Sequence, residues 1–180
     1  YFFKVRDQLY VRAEGRGLMK ITGDQLKMVK GGERFAHKRI HALVPWGDTA
    51  DRDGPLLIGT REQGWFVLDD GHFVTWPTDA EAILRNDLLY DAKWLADGTL
   101  AADTLQGGVV MLDRKGHLLG RVRRTEGLIN DTVLSSFEDR EHGLWLALDN
   151  GISRLDIASP LTYFSRNSGL DGTVLAMRRF

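Results

Sequence analysis

The chain of 180 residues contains no cysteine. That excludes a disulfide framework, a thiolate nucleophile and a cysteine-ligated zinc site. It has only 4 prolines, and no apolar run approaches the roughly 20 residues that a membrane helix needs. Charge of one sign is also lacking: 24 Lys+Arg stand against 25 Asp+Glu, a formal net charge of −1. Nothing in that balance drives the chain toward nucleic acid or an acidic lipid surface, and neither is expected as a partner. Helical periodicity is nearly absent; only Asp79 to Leu84 can make a turn of helix, and one turn at most.

Catalytic signatures are missing as well. The sequence holds no G-x-S-x-G elbow, no phosphate loop and no H-E-x-x-H pair. Asp51-Arg52-Asp53-Gly54 resembles the opening of a calcium loop but lacks the glutamate that closes one. His37 and His41 are spaced to share a helix face, not a strand face. The carboxylate pairs Glu138-Asp139 and Asp69-Asp70 fall on expected turns, without the burial that tunes a general acid. No catalytic residue, metal site or cofactor is expected.

What the chain does have is punctuation. Gly17, Gly64, Gly108 and Gly151 recur about every 45 residues, each followed by an apolar-rich strand. A strand precedes each of them, near Leu9, Leu56, Leu100 and Trp145. A further strand follows, near Leu26, Phe73, Leu118 and Leu161, and another opens each unit, at Ile40, Leu88, Val133 and Val174. Four short strands at this period read as blades of an all-β propeller, each a four-stranded antiparallel sheet that cannot bury its faces alone. The repeats fall at about 1–39, 40–87, 88–132 and 133–172, with 173–180 as the innermost strand of a next blade.

The clearest unit is Gly127 to Asp156, G-L-I-N-D-T-V-L-S-S-F-E-D-R-E-H-G-L-W-L-A-L-D-N-G-I-S-R-L-D, with Asn150-Gly151 as its hairpin turn. This stretch resembles the repeat of the two-component regulator propeller family. The likeness weakens toward the N-terminus: Ala101-Ala102-Asp103-Thr104 replaces the usual W-x-G-T, and the first unit rests on spacing alone. The resemblance implies a non-catalytic sensor region of a bacterial two-component or cyclic-dinucleotide signalling receptor, periplasmic and membrane-anchored elsewhere. It also implies that the four blades are an arc of a larger ring. The opening Tyr1-Phe2-Phe3 reads as part of an innermost strand, which marks the chain as a piece of a longer protein.

A meander fixes which loops share a face. Turns joining the first to second and the third to fourth strands are rich in Asp and Glu; the opposite end is mildly basic. Propellers generally bind ligands at that opposite end, near the axis. There the crossings carry Arg34, His37, Lys38, Arg39 and His41, then Arg123 and Arg124, then Arg166 and Asn167. These are the candidate ligand-binding residues, suited to an anionic or oligosaccharide ligand. The five tryptophans are expected in the core or between blades, with Trp46 and Trp76 the best placed to stack on a sugar. Two other functions compete. A scaffold that docks a protein or a second copy would use the acidic face. A propeller lyase or hydrolase needs a histidine or a glutamate on an innermost strand or its top loop, for which His37 and His41 are the candidates.

Overall fold

The computed structural model describes residues 1–47 and 53–157. Within them lie fifteen strands. The first blade is β1 (Phe2–Val5), β2 (Gln8–Ala13), β3 (Gly17–Thr22) and β4 (Gln25–Met28). The second is β5 (Ile40–Pro45), β6 (Leu56–Thr60), β7 (Gly64–Asp69) and β8 (His72–Trp76). The third is β9 (Leu89–Trp94), β10 (Leu100–Thr104), β11 (Val109–Leu112) and β12 (Leu118–Val122). The fourth contributes β13 (Val133–Glu138), β14 (Gly143–Leu148) and β15 (Gly151–Asp156). Every sheet is an antiparallel meander in sequence order, so the chain is all-β with four propeller blades. The strands expected near Leu161 and Val174 lie outside the described residues, as do Arg166 and Asn167.

Turn chemistry explains the regularity. Gly64 and Gly108 adopt positive φ, at 76° and 73°, where only glycine is free of strain. In each of these two turns a threonine closes the loop. Thr60 Oγ1 donates to Gly64 O and Thr104 Oγ1 to Gly108 O, both at 2.8 Å. The glutamate–aspartate pair of the clearest repeat has an equally local purpose. Asp139 accepts from the Glu141 and Gly143 amides, at 2.9 and 2.8 Å, and from the Trp145 indole at 2.7 Å. Arg154 Nε adds a fourth donor at 3.0 Å, and together these hold the Asp139 carboxyl well below the usual range.

The second and third sheets are covered on both faces, which accounts for Leu56–Thr60 and Leu100–Thr104 being buried at every position. Leu57, Trp65, Ala42 and Val44 pack forward onto Leu89, Leu100, Ala102 and Val110 of the third blade. Ile58, Leu56 and Leu68 pack back onto Tyr10 and Leu18 of the first. Ala101, Val109 and Met111 pack forward onto Val133, Leu144 and Leu146 of the fourth.

Two expectations are corrected. The helical segment is longer than one turn: α1 spans Glu81–Asn86, because Ala80 and Leu84 form an i, i+4 pair buried in the core between the second and third blades. Trp76 does not face solvent for a sugar. It is buried among Trp46, Trp65 and Trp94, with ring centroids at 5.5, 5.9 and 6.3 Å, and its indole donates to Arg114 O at 3.3 Å. Trp46 packs against the same cluster, 6.0 Å from Trp94.

Candidate functional site

The innermost strands β1, β5, β9 and β13 lie side by side and line the axis. In three of them the pairing register slips by one residue at the same place. Against β6, Ile40 and Ala42 pair with neighbouring residues and His41 is left over. Against β10, Leu89 and Asp91 do so and Tyr90 is left over. Against β14, Val133 and Ser135 do so and Leu134 is left over. A β-bulge re-aims its extra side chain. Here all three extra residues line one cleft of about 160 Å³, with Tyr1, Phe2, Phe3 and Asp91.

This cleft opens at the end of the molecule where the blade-to-blade crossings run. It shares Phe2, Phe3 and Asp91 with a larger one of about 390 Å³ further along the axis, whose walls include Lys4, Lys93, Pro45 and Trp94.

His41 is the residue of interest in this groove. It is only 3% exposed, yet among the described residues neither ring nitrogen has a hydrogen-bond partner. The Tyr1 ring meets it edge-on at 5.6 Å. Burial, reinforced by the nearby guanidinium groups of Arg61, Arg39 and Arg12, pushes the imidazole down to about 4. At neutral pH it is therefore an uncharged ring offering one donor and one acceptor. Across the groove, burial raises Asp91, partly offset by the Ala92 amide that its carboxylate accepts at 2.8 Å.

The other expected residues separate into groups. Arg34 and Lys38 share a small pocket with Phe35, Phe66 and Phe73. His37 and Arg39 are exposed and contribute to the positive surroundings of Glu14, which is held down chiefly by its pair with Arg12. Arg123 pairs with Glu126 at 3.2 Å, and the Arg124 amide donates to Asp131 at 2.7 Å. Neither arginine lines the axial cleft. A further cleft of about 270 Å³ between the first two blades is lined by Lys20, Lys30, Asp53 and Asp70, but Lys20 pairs with Asp53 and Lys30 with Asp70. Among the described residues no cluster of three metal-ligating side chains forms.

Sequence reasoning missed Tyr1, Tyr90, Asp91 and Leu134. No residue type signals them, because the extra residue in Ile40-His41-Ala42, Leu89-Tyr90-Asp91 and Val133-Leu134-Ser135 appears only as an offset against the partner strand.

The fold has solved counterparts. The extracellular domain of a protein named as hybrid two-component system BT3049 from B. thetaiotaomicron superposes with a TM-score of 0.64 over 93% of this chain, at 17% identity. That of a protein named as one-component system BT4673, from the same organism, gives 0.57 over 86% at 22% identity. A protein of unknown function from Bacteroides caccae gives 0.55 over 84% at 14% identity. The chain spans 23%, 21% and 54% of the lengths of these three. At such identities the likeness establishes the fold, a β-propeller of the kind found in extracellular domains of bacterial signalling proteins. No family model matches the sequence, and no curated protein is significantly similar to it. No helix among the described residues is long and apolar enough to cross a membrane.

Proposed function

We propose that this chain is a non-catalytic, ligand-binding arc of a larger propeller ring, in the periplasmic sensor region of a bacterial two-component or cyclic-dinucleotide signalling receptor. The observation that carries the reading is the repeated bulge, which turns His41, Tyr90 and Leu134 of three blades toward one axial cleft. Three bulges at one level, around an imidazole whose nitrogens are closed to solvent and have no partner among the described residues, suit a ligand that displaces the neighbouring Tyr1 ring and supplies the missing hydrogen bonds. A neutral imidazole beside the aromatic rings of Tyr1 and Tyr90 fits the hydroxyls and apolar face of a sugar, so the ligand is the end of an oligosaccharide. Among the described residues no carboxylate hydrogen-bonds His41 as one would to orient a catalytic histidine, which favours binding over a lyase or hydrolase.

The test is a panel of neutral oligosaccharides, screened by thermal shift and then by calorimetry. At least one should raise the midpoint, and His41→Ala should weaken it about tenfold or more while the circular dichroism is unchanged. A panel without any shift, or a His41→Ala variant with unaltered affinity, defeats the reading.

A second reading, an interaction scaffold, has its own support. The forward face of the fourth blade exposes Phe137, Trp145 and Ile152 at 62%, 42% and 65%. By register, Trp145, Ala147 and Ile152 stand where Ala101, Asp103 and Val109 are covered in the third blade. A neighbouring blade or a second copy fits there. Light scattering across a concentration series separates the two occupants: mass that doubles, and returns to monomer in Ile152→Asp, supports the second copy.

A further inference from the structure

We propose a second binding site, independent of the axial cleft: the pocket of Arg34 and Lys38, which takes a small aromatic carboxylate. The pocket has about 120 Å³ and is lined by Arg34, Phe35, Lys38, Phe66, Phe73 and Thr75. Its floor is three phenylalanine rings in mutual contact, with centroids 5.2 Å apart for Phe35 and Phe73, 6.3 Å for Phe35 and Phe66, and 6.5 Å for Phe66 and Phe73. Two cations stand over that floor. The Arg34 guanidinium lies 5.2 Å from the Phe73 centroid. The Lys38 ammonium lies 5.6 Å from that of Phe66 and 5.9 Å from that of Phe35.

The crossing between the first and second blades builds this arrangement. Gly31 turns the chain at φ 79° into a short 3-10 helix, Gly32–Phe35. A Cβ at Gly31 would come within 2.8 Å of the Phe73 ring, so glycine lets the backbone lie against the pocket. Phe35 is thereby buried and Arg34, next to it, stays at the surface. Lys38 is fixed through its backbone: its amide donates to Phe35 O at 3.2 Å, and its carbonyl accepts from Arg12 Nε at 3.0 Å.

Among the described residues, no carboxylate lies within ion-pairing distance of either cation. This sets the pair apart from Lys20, Lys30, Arg121, Arg123 and Arg154, each of which meets a carboxylate. Two uncompensated positive charges over an apolar floor ask for a ligand that is anionic at one end and flat and apolar at the other. At about 120 Å³ the pocket is smaller than the enclosed apolar cavity of ~150 Å³ that holds a whole benzene ring, but it is open to solvent, so a ring can enter it in part with its carboxylate toward the cations. A bare oxyanion would leave the rings wet, and an uncharged ring would leave the cations unpaired.

Calorimetry and amide chemical shifts on the chain, with benzoate as the probe, test the site. Benzamide, of the same shape without the charge, and acetate, with the charge but no ring, serve as controls. Benzoate should saturate, shift the amides of residues 32–38 and 73–75, and weaken as salt is raised. Benzamide and acetate should each bind about tenfold more weakly or worse. Arg34→Gln and Lys38→Met should each reduce benzoate affinity by a similar factor with unchanged thermal unfolding, whereas His41→Ala should leave it intact. The site is refuted if benzamide matches benzoate, if acetate matches benzoate, if benzoate fails to bind at its solubility limit, or if both charge variants bind as the parent does. Benzoate and benzamide are compared on the unmodified chain, so that comparison decides for or against the site even if a variant misfolds. Loss of benzoate binding in His41→Ala would reassign the ligand to the axial cleft and overturn the second site.

Discussion

The interface between the second and third blades and the one between the third and fourth are built from the same strands in the same register, yet they differ in chemistry. The former is apolar throughout. Trp46, Trp65, Trp76 and Trp94 interlock with Leu57, Leu89, Leu100 and Leu112, and the Trp94 indole is satisfied by Pro45 O at 2.8 Å. The latter contains leucines and Met111, but also the carboxyl of Asp103, 0% exposed, with Ser136 buried beside it. Among the described residues neither carboxylate oxygen nor the Ser136 hydroxyl meets full hydrogen-bond geometry, although the hydroxyl lies close enough to the carboxyl to favour its ionised form. Asp91 stands directly opposite Asp103 in the sheet, a like-charge pair that is unfavourable when both are ionised. Burial pushes the Asp103 carboxyl up to about 8; the Ser136 hydroxyl and Lys93 offset part of this, and Asp91 adds to it. One interface is thus insensitive to pH and the next is coupled to a proton. Neighbouring blades of one repeat can share geometry without sharing energetics.

The largest expected effect is on the apolar side. Trp65 is among the largest fully buried side chains and touches the cores of both flanking strands. Trp65→Ala removes its contacts and leaves a cavity, at a cost of about 3–5 kcal/mol. Denaturant unfolding should show that loss, equal in size at pH 5 and pH 8. A loss that changes with pH across that range would mean the two interfaces are not separable.

Next comes the proton. An aspartate whose folded-state value is raised binds its proton more tightly in the native state than in the unfolded one. Between the ordinary 3.8 and about 8 the unfolded chain is ionised while the native chain is not. This group's contribution is therefore fully present below about pH 4 and is lost as the pH rises through 8. Asp103→Asn keeps the shape and abolishes the titration. The stability of the parent relative to this variant should fall by an amount on the order of a few kcal/mol across that window. Parallel pH profiles would show that Asp103 is solvated and the contrast between interfaces false. Ser136→Ala sharpens the same point with a smaller effect, about 1 kcal/mol, by removing the hydroxyl beside the carboxyl. The midpoint of the pH profile should move upward; an unmoved midpoint rules out Ser136 as an influence on Asp103.

The blade plan is legible in the sequence because its determinants are local. Positive-φ glycines, the Asn150-Gly151 hairpin and closing threonines leave residue types at fixed spacing, and each expected strand within residues 1–157 forms where the pattern places it. The axial cleft is less legible. A bulge is an offset between two strands, so it marks no residue type. The charge pattern marks His41 as part of a basic crossing, not as an axial residue, and Tyr90 and Leu134 read as ordinary strand positions. Trp76 misleads for a related reason. Its place at a strand end suggests exposure, but α1 folds Ala80 and Leu84 over it, a contact between elements that periodicity cannot reveal.

The smallest effect is the control for the first. Trp145 occupies the forward face of the fourth blade, as Trp65 does that of the second. There it is 42% exposed, with its indole hydrogen-bonded to Asp139 at 2.7 Å and the Arg154 guanidinium 5.8 Å above its ring. More than a third of its surface stays in water, against 2% for Trp65, and the cation over it is partly solvated. Trp145→Ala in this chain should therefore cost less than about 1 kcal/mol, against the several lost at Trp65. Equal losses at the two sites would mean that something covers the fourth blade in solution. In that case the same variant should also change the mass measured by light scattering, because the tryptophan would then be part of a contact and not of a free surface.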